Sequence, residues 1–568
     1  MIRWALRRGL GLLRLLLGLP VALLAALVWR RGKRDALVLR FEDEVHDHPP
    51  EHGWVRGLLG ARAPGLDIAT ALAALREATT DARLKGVVVL LERAGLGLTQ
   101  ADLLATALDA ARLAGKKALV WADATSAGAL VVGAAADRFL VAPESTLRFA
   151  GVRVATPFVG DLLKLVGIGA DLDHEGPFKS YSDTFTRRSM SDAHREVSTA
   201  LATDLYDQVV SPLVAGRAIE RRRIEGLIDA APTSHRAVVA EGLADRLAWE
   251  DEVDAETTTL LGLDPGPDPA KAWRGVSPRY YVGRRARRER RAGLFRDLPL
   301  IAVAELEGAI VPGKEGRGVA VHAWVDLLDE LADDDAVRAV VLRIDSPGGS
   351  AEASDDLWRA ARLLDREKPV VASLGRVAAS GGYYAAVAAR RIVAHPSTLT
   401  GSIGVVSGKL HAAPLLERLG VRVEGPQVGA HAGLYDPDRA FTDDERVANR
   451  RELERVYRTF LERVAEGRKK TLAEVEALAQ GRVYTGRQAL PLGLVDRLGG
   501  LEDALDEVRA LAELRGPTRV VRVRTPRRRT LGVPGLSAEL GLGDLGTALD
   551  LARCRTLTWC PWTVRGLE

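Results

Sequence analysis

The feature that most restricts the fold of this chain is an internal repeat. Lys85-Gly-Val-Val-Val-Leu-Leu-Glu-Arg-Ala-Gly95 resembles Arg338-Ala-Val-Val-Leu-Arg-Ile-Asp-Ser-Pro-Gly348. Asp137-Arg-Phe-Leu-Val-Ala-Pro143 resembles Arg390-Arg-Ile-Val-Ala-His-Pro396, and both pairs lie 253 positions apart. Gly242-Leu-Ala-Asp-Arg-Leu247 matches Gly493-Leu-Val-Asp-Arg-Leu498 at a spacing of 251. A near-constant spacing over three segments means that one supersecondary pattern is used twice. In the first copy Gly86–Leu91, Lys117–Trp121 and Arg138–Val141 read as strands, with helices over Gln100–Leu113 and Ala127–Ala136. In the second, strands at Ala339–Ile344, Val370–Ser373 and Ile392–Val393 alternate with helices at Ser354–Leu364 and Gly382–Ala389. Apolar strand runs joined by helices imply α/β sheets covered on both faces. Longer helices are expected over Asp192–Leu213 and Asp443–Ala465, and a Pro-, Gly- and Arg-rich connector, 262–298, divides the halves. The organisation is then an N-terminal segment 1–34, repeats at 35–261 and 299–510, and an extension of unknown role at 511–568.

The chain has 568 residues, too many for one ordinary core. Gly9 to Trp29 is apolar except for Arg14, with Arg3, Arg7 and Arg8 before it and Arg30, Arg31, Lys33 and Arg34 after it. With Arg14 snorkelling, the run suffices for a tilted membrane helix of about 20 residues. An uncleaved anchor is favoured, because a basic cluster closes the segment; a cleaved signal peptide is the competing reading. Basic flanks on both sides leave the orientation open. The net charge of +4 demands no nucleic-acid partner. The arginine runs Arg284–Arg291 and Arg527–Arg529 come with no base-reading motif, and suit a solvated linker or anionic lipid better. Cys554 and Cys560 leave a local disulfide and two free thiols equally open, and two cysteines cannot make a four-ligand zinc site. No cofactor fingerprint or metal motif is present, and neither a cofactor nor a metal is expected.

Comparison of the two copies exposes a candidate site. Ser380, in Ala378-Ala379-Ser380-Gly381-Gly382-Tyr383, sits between a strand and a helix, where unpaired N–H groups point outward. At a spacing of 253 it aligns with Ala127, and Ser126 stands one position early. The second copy also carries Pro347-Gly348-Gly349, where the first has Ala94-Gly95-Leu96. Adjacent glycines let backbone amides converge on a ligand. A serine nucleophile needs a base, and the ten histidines form no Ser-His-Asp pattern; His395 reads as a loop residue. Lysine can replace histidine if burial and neighbours lower its pKa from about 10.4 toward neutrality. Lys179, in His174-Glu-Gly-Pro-Phe-Lys-Ser-Tyr-Ser-Asp183, is the candidate, since the matching part of copy two, Glu424 to Gly433, has no lysine. Asp345 reads as a strand-end residue orienting the Pro-Gly-Gly loop.

Arg343-Ile-Asp-Ser-Pro-Gly-Gly-Ser350, Val377-Ala-Ala-Ser-Gly-Gly-Tyr383, Pro396-Ser-Thr-Leu-Thr-Gly-Ser-Ile-Gly404 and Phe178-Lys-Ser-Tyr181 resemble the long, duplicated form of the signal peptide peptidase A (protease IV) family. The resemblance implies tandem ClpP/crotonase-like α/β domains behind a membrane anchor, with Ser380 as nucleophile, Lys179 as general base and Ser402 hydrogen-bonded to the lysine. Backbone N–H groups at Gly349 and Gly381, with Gly348 beside them, would form the oxyanion hole. It further implies an endopeptidase acting on apolar peptides, signal peptide remnants among them. The enzyme would be a single-pass protein of the cytoplasmic membrane with its bulk on the outer side. It would also be a homotetramer with active sites assembled across subunit contacts. The sequence departs from the family pattern after Lys179, in Ser-Tyr-Ser-Asp, and in the tail beyond about 510. Two other readings stand beside this one: an inactive membrane-tethered scaffold, and an acyl-CoA-processing crotonase relative.

Overall fold

The computed structural model describes residues 34–47, 65–230, 233–266, 272–295, 297–314 and 318–525, with two further short strands at Thr556–Trp559 and Thr563–Arg565. These residues form two compact units that do not follow chain order. One takes the chain up to Val152 and returns for Tyr206–Leu298; the other combines Arg153–Leu205 with Pro299–Arg565. The segment with Lys179, assigned by chain order to the first repeat, therefore packs in the second unit.

The first unit is built on six parallel strands in the order Gly275–Val276, Ala36–Glu44, Gly86–Gly95, Lys117–Ala122, Arg138–Val141, Arg246–Leu247. Its central strands are apolar on both faces because helices Ile68–Thr79, Leu98–Leu113 and Ala127–Ala134 pack on the sheet, while Val253–Leu260 covers the side that shows Val88, Leu90, Leu119 and Trp121. The connector expected over 262–298 is in large part structured. Gly275–Val276 joins the sheet edge, and Pro278–Phe295 is a helix packed on Ile68–Thr79. Pro278 suits a first helical position. Tyr281 is fully buried with its hydroxyl 3.4 Å from Asp81, and Arg284 lies 3.6 Å from the same carboxylate. The arginine run hid this helix because most of its length is polar.

In the second unit, strand β1 (Gly169–His174) precedes the repeat, which continues with β2 (Val337–Ser346), β3 (Gly348–Ser350), helix α1 (Ala351–Glu367), β4 (Val370–Ala379), helix α2 (Gly381–Ala386), β5 (Leu399–Gly401) and β6 (Val406–His411). The main sheet runs Val483–Thr485, β5, β4, β2, Leu300–Glu307, Arg519–Val523, with Arg391–Ala394 and Arg497–Leu498 branching from β4. Both faces are buried, one against α1 and α2, the other against Leu501–Leu511. A second sheet has the order Val319–Ala320, Ile310–Val311, β3, β7, β6, β1, where β7 is Thr556–Trp559. The long helices extend three or four residues beyond expectation, to Arg217 and Arg468. Helix Asp443–Arg468, α3 below, opens with a reciprocal cap in which Thr442 and Glu445 satisfy each other's amides.

The expected membrane segment, 1–34, lies almost wholly outside the described residues, as do Cys554 and Cys560. Among the described residues no helix is long and apolar enough to cross a membrane.

Glu445 generates a pH prediction. Hydrogen bonds from Arg439, aided by the Thr442 amide, hold its carboxyl down at about 2 against an ordinary 4.5. A carboxyl depressed on folding stabilises the native state fully above 4.5, and that contribution is lost as pH falls toward 2. Acid titration followed by circular dichroism should show Glu445→Gln less stable than the parent at neutral pH. The gap should narrow across that window.

Candidate active site

Ser380 occupies the single residue between β4 and α2, at φ 54° and ψ −115°. Such a conformation costs a non-glycine residue about 1–3 kcal/mol and survives only where the surroundings enforce it. Here the Ser380 amide donates to the Gly401 carbonyl at 2.8 Å, and the Ser380 carbonyl accepts from the Tyr384 amide at 2.8 Å. Gly382 lets α2 approach β2, since a Cβ there would stand 2.6 Å from the Ser346 carbonyl oxygen. Tyr383 donates to the Leu494 carbonyl and Tyr384 to Asp355, each at 2.8 Å, which pins the helix. The result is a sharp strand-to-helix turn like the nucleophile elbow of hydrolases. Unlike an ordinary cap, the Ser380 hydroxyl makes no bond to its own helix.

Its partner is Lys179. The lysine Nζ donates to Ser380 Oγ at 2.8 Å, to Ser402 Oγ at 3.0 Å and to the Ser402 carbonyl at 3.1 Å. Lys179, Ser380 and Ser402 are all buried, at 2%, 0% and 1% exposure. Ser402 is itself at positive φ, 51°, and its amide donates to the Arg482 carbonyl at 2.7 Å. The three side chains meet within one chain; no contribution from a neighbouring subunit is needed to bring them together.

Two glycines make this approach possible, Gly176 in the Gly-Pro turn before the lysine and Gly481, which drew no notice in the sequence. Gly481, at φ 81°, lies so close that a Cβ would come within 2.4–2.6 Å of the backbone and Cβ of Lys179. Gly176, at φ 90°, has the same relation to Gln480. The Phe178 amide donates to the Gln480 carbonyl, and Arg482 stacks over the Phe178 ring at 3.8 Å. From α3, Arg450 reaches Asp173, Glu175 and the His174 carbonyl, clamping the strand that leads into the loop. The unusual Ser-Tyr-Ser-Asp sequence is absorbed locally. Ser182 Oγ lies 2.8 Å from His174 Nδ1, and Asp183 accepts from Ser191 at 2.9 Å. The only signal for Gly176 was its Gly-Pro turn, and Gly481 lies about 300 residues beyond the lysine, so the contact that gives both their role is long-range.

The candidate oxyanion glycines differ in what their amides do. Gly381 is the first residue of α2, a position whose N–H has no intrahelical acceptor. Gly349 lies in β3 packed so tightly on Ile310 that a Cβ would fall within 1.9 Å of its carbonyl oxygen. The Gly348 amide donates to Ser346 Oγ at 3.2 Å, so it could serve an oxyanion only by giving up that bond. Asp345 ties β2 to β4, accepting from the Val377 amide at 3.2 Å. His395 bonds to Ser397 at 2.9 Å in its own turn, consistent with a loop role. Among the described residues no group of three or more His, Cys, Asp or Glu side chains is placed to hold a metal ion.

The first copy shows a different use of the same turn. Helix Ala127–Ala134 starts one residue after Ser126, as α2 starts one residue after Ser380. Its second residue, Gly128, also meets a carbonyl, that of Leu96, at 2.4 Å from a would-be Cβ. The structural counterpart of Ser380 is therefore Ser126, not Ala127, the repeat spacing being 254 here. Ser126 has ordinary extended geometry, φ −82° and ψ 173°, and spends its hydroxyl accepting from the Ala129 amide.

The family model described as "Peptidase family S49" matches residues 110–264 and again 362–515, together more than half of the chain. "Serine protease SPPA, chloroplastic" of Arabidopsis thaliana is 31% identical over 414 residues, covering 72% of this chain; the chain spans 60% of that relative's length. "Protease 4" of Salmonella typhi is 28% identical over 502 residues, 85% of this chain and 79% of the relative. "Protease 4" of Haemophilus influenzae is 27% identical over 460 residues, 79% and 73% of the two chains. Two matches of one family model, in the two copies of the repeat, show that the chain belongs to peptidase family S49, with the SppA-type serine proteases.

Proposed function

We propose that this serine peptidase works through a Ser380–Lys179 pair as an endopeptidase on extended apolar peptides. The observation that carries the reading is the 2.8 Å contact between a buried lysine amine and the hydroxyl of a serine held at a strained turn. Burial favours the neutral form of an amine, and only the neutral form can accept the serine proton. Ser402 gives the amine a second neutral partner and fixes its direction. In the first half-reaction Ser380 Oγ attacks the peptide carbonyl while Lys179 takes its proton. The resulting oxyanion would be met by the amides of Gly381 and Gly349, and such preorganised donors are worth about 3–4 kcal/mol each. Lys179 then protonates the leaving amine. Water attacks the ester at Ser380 with the lysine again as base, releasing the acid and restoring the hydroxyl.

The apolar run Gly9–Trp29 fits attachment to a membrane, where cleaved signal peptides would be at hand. A bulk outside the cytoplasm and a homotetrameric assembly rest on the family resemblance alone.

Four activity measurements test this reading. Ser380→Ala and Lys179→Ala should each lower hydrolysis of casein and of an apolar peptide by at least about 10³-fold, with circular dichroism unchanged; activity surviving in Ser380→Ala overturns the mechanism. Ser402→Ala, which removes one bond to the amine, should cost about 10–100-fold. The parent's kcat/KM should rise with pH on a single ionisation, since deprotonated amine is the working form, and Lys179→Ala should lack that limb. Gly481→Ala, which touches no substrate, should lose at least about tenfold in turnover by displacing the lysine. Full activity in that variant would show that the lysine loop does not need this packing.

A further inference from the structure

The second sheet contains a strand that the repeat does not supply. β7, Thr556–Trp559, lies between β3 and β6 and is antiparallel to both. Gly348, Gly349 and Ser350 face Trp559, Thr558 and Leu557 in turn, while Val406 and Ser407 face Leu557 and Thr556. The two flanking strands belong to the candidate site, since β3 holds Gly348 and Gly349, and β6 begins four residues after Ser402. Neighbouring strands stand about 4.8 Å apart, so β3 and β6 are separated by about two such spacings. That is room for one extended chain with backbone partners on both sides.

Direction matters as much as position. From Leu557 to Trp559 the strand passes Ser350, then Gly349, then Gly348, heading toward Ser346. Ser346 pairs with Ala378, two residues before Ser380, and its carbonyl packs on Gly382. The carboxyl end of β7 thus points at the nucleophile turn. A substrate held by strand pairing on its acyl side needs that polarity, because its scissile carbonyl follows the paired residues. Main-chain pairing of this kind recognises an extended peptide through backbone groups that every sequence offers.

We propose that Thr556–Trp559 is a built-in occupant of the peptide-binding strand position, an intramolecular competitor for substrate. The inference rests on the peptidase reading for its meaning, though not for its test. Arg519–Val523 and Thr556–Trp559 belong to one chain, about thirty residues apart in sequence, so the pairing is intramolecular and its strength does not fall with dilution. Free peptide must displace the tail to bind.

The test uses the full chain carrying Ser380→Ala, so that nothing is cleaved, with and without Thr558→Pro. Proline removes a strand N–H and disfavours the pairing. The probe is a fluorescently labelled synthetic peptide with the sequence of residues 555–559. The proline variant should bind it at least about tenfold more tightly by anisotropy, and equal affinity overturns the proposal. Leu557→Pro should behave alike, which guards against one variant misfolding. In hydrogen exchange, amides of Gly348–Ser350 and Val406–Ser407 should lose protection in the proline variants and regain it with peptide; unchanged protection overturns the strand assignment. The affinity gap should not depend on protein concentration, whereas a dependence would mean that the tail of a second copy fills the site and would overturn competition within one chain. Tighter binding in a chain whose parent hydrolyses nothing would sink the peptidase reading and leave this one standing.

Discussion

The candidate site in the second unit depends on the burial of one amine. A lysine removed from water loses its hydration, and the fold must supply oxygen partners or accept a neutral side chain. Ser380 and Ser402 supply three such oxygens within 3.1 Å of Lys179 Nζ. Bringing them together requires two loops distant in sequence to touch backbone to backbone, which is why Gly176 and Gly481 stand at the crossing. The clamp by Arg450 then serves the same end from a third direction, holding β1 while the loop behind it turns inward.

Both serines at the amine have positive φ, and neither is a glycine or asparagine that would adopt it cheaply. The strain is held by two short amide bonds, Ser380 to Gly401 and Ser402 to Arg482. These bonds link the Ser380 turn to β5, and the residue after β5 to the one before the strand Val483–Thr485. A shift in either turn would pull on the other, so the two hydroxyls move as a set. Such coupling is the structural content of preorganisation, with both hydroxyls already held at the amine.

Much of this was legible in the sequence for definite reasons. The strands at Gly86, Lys117, Ala339 and Val370 announced themselves because both faces are buried and the runs are continuously apolar. Ser380 and Lys179 emerged because the two copies differ there, and a difference between near-equal halves is information that composition lacks. Three things were not legible. The helix Pro278–Phe295 lost its apolar signal to arginines, since Tyr281 is among its few buried positions. The assignment of Arg153–Leu205 to the second unit is a matter of tertiary packing that chain order conceals. The glycines at 176 and 481 carry meaning only through a contact across about 300 residues of chain.

Ser126 and Ser380 show two uses of one strand-to-helix turn. Both serines precede a buried helix, and both helices carry a glycine at the second position pressed on a carbonyl. In the first copy the hydroxyl caps its helix, which stabilises by about 1 kcal/mol and ties the oxygen to an amide. In the second that bond is absent, the backbone is strained, and the hydroxyl faces a lysine amine. The same residue type thus yields stability or reactivity according to one pair of torsions. Spending the capping bond and the torsional strain is worthwhile only where the freed oxygen has chemistry to perform. The second copy holds the strained form with its hydroxyl on an amine, and the first holds the relaxed form with its hydroxyl on its own helix.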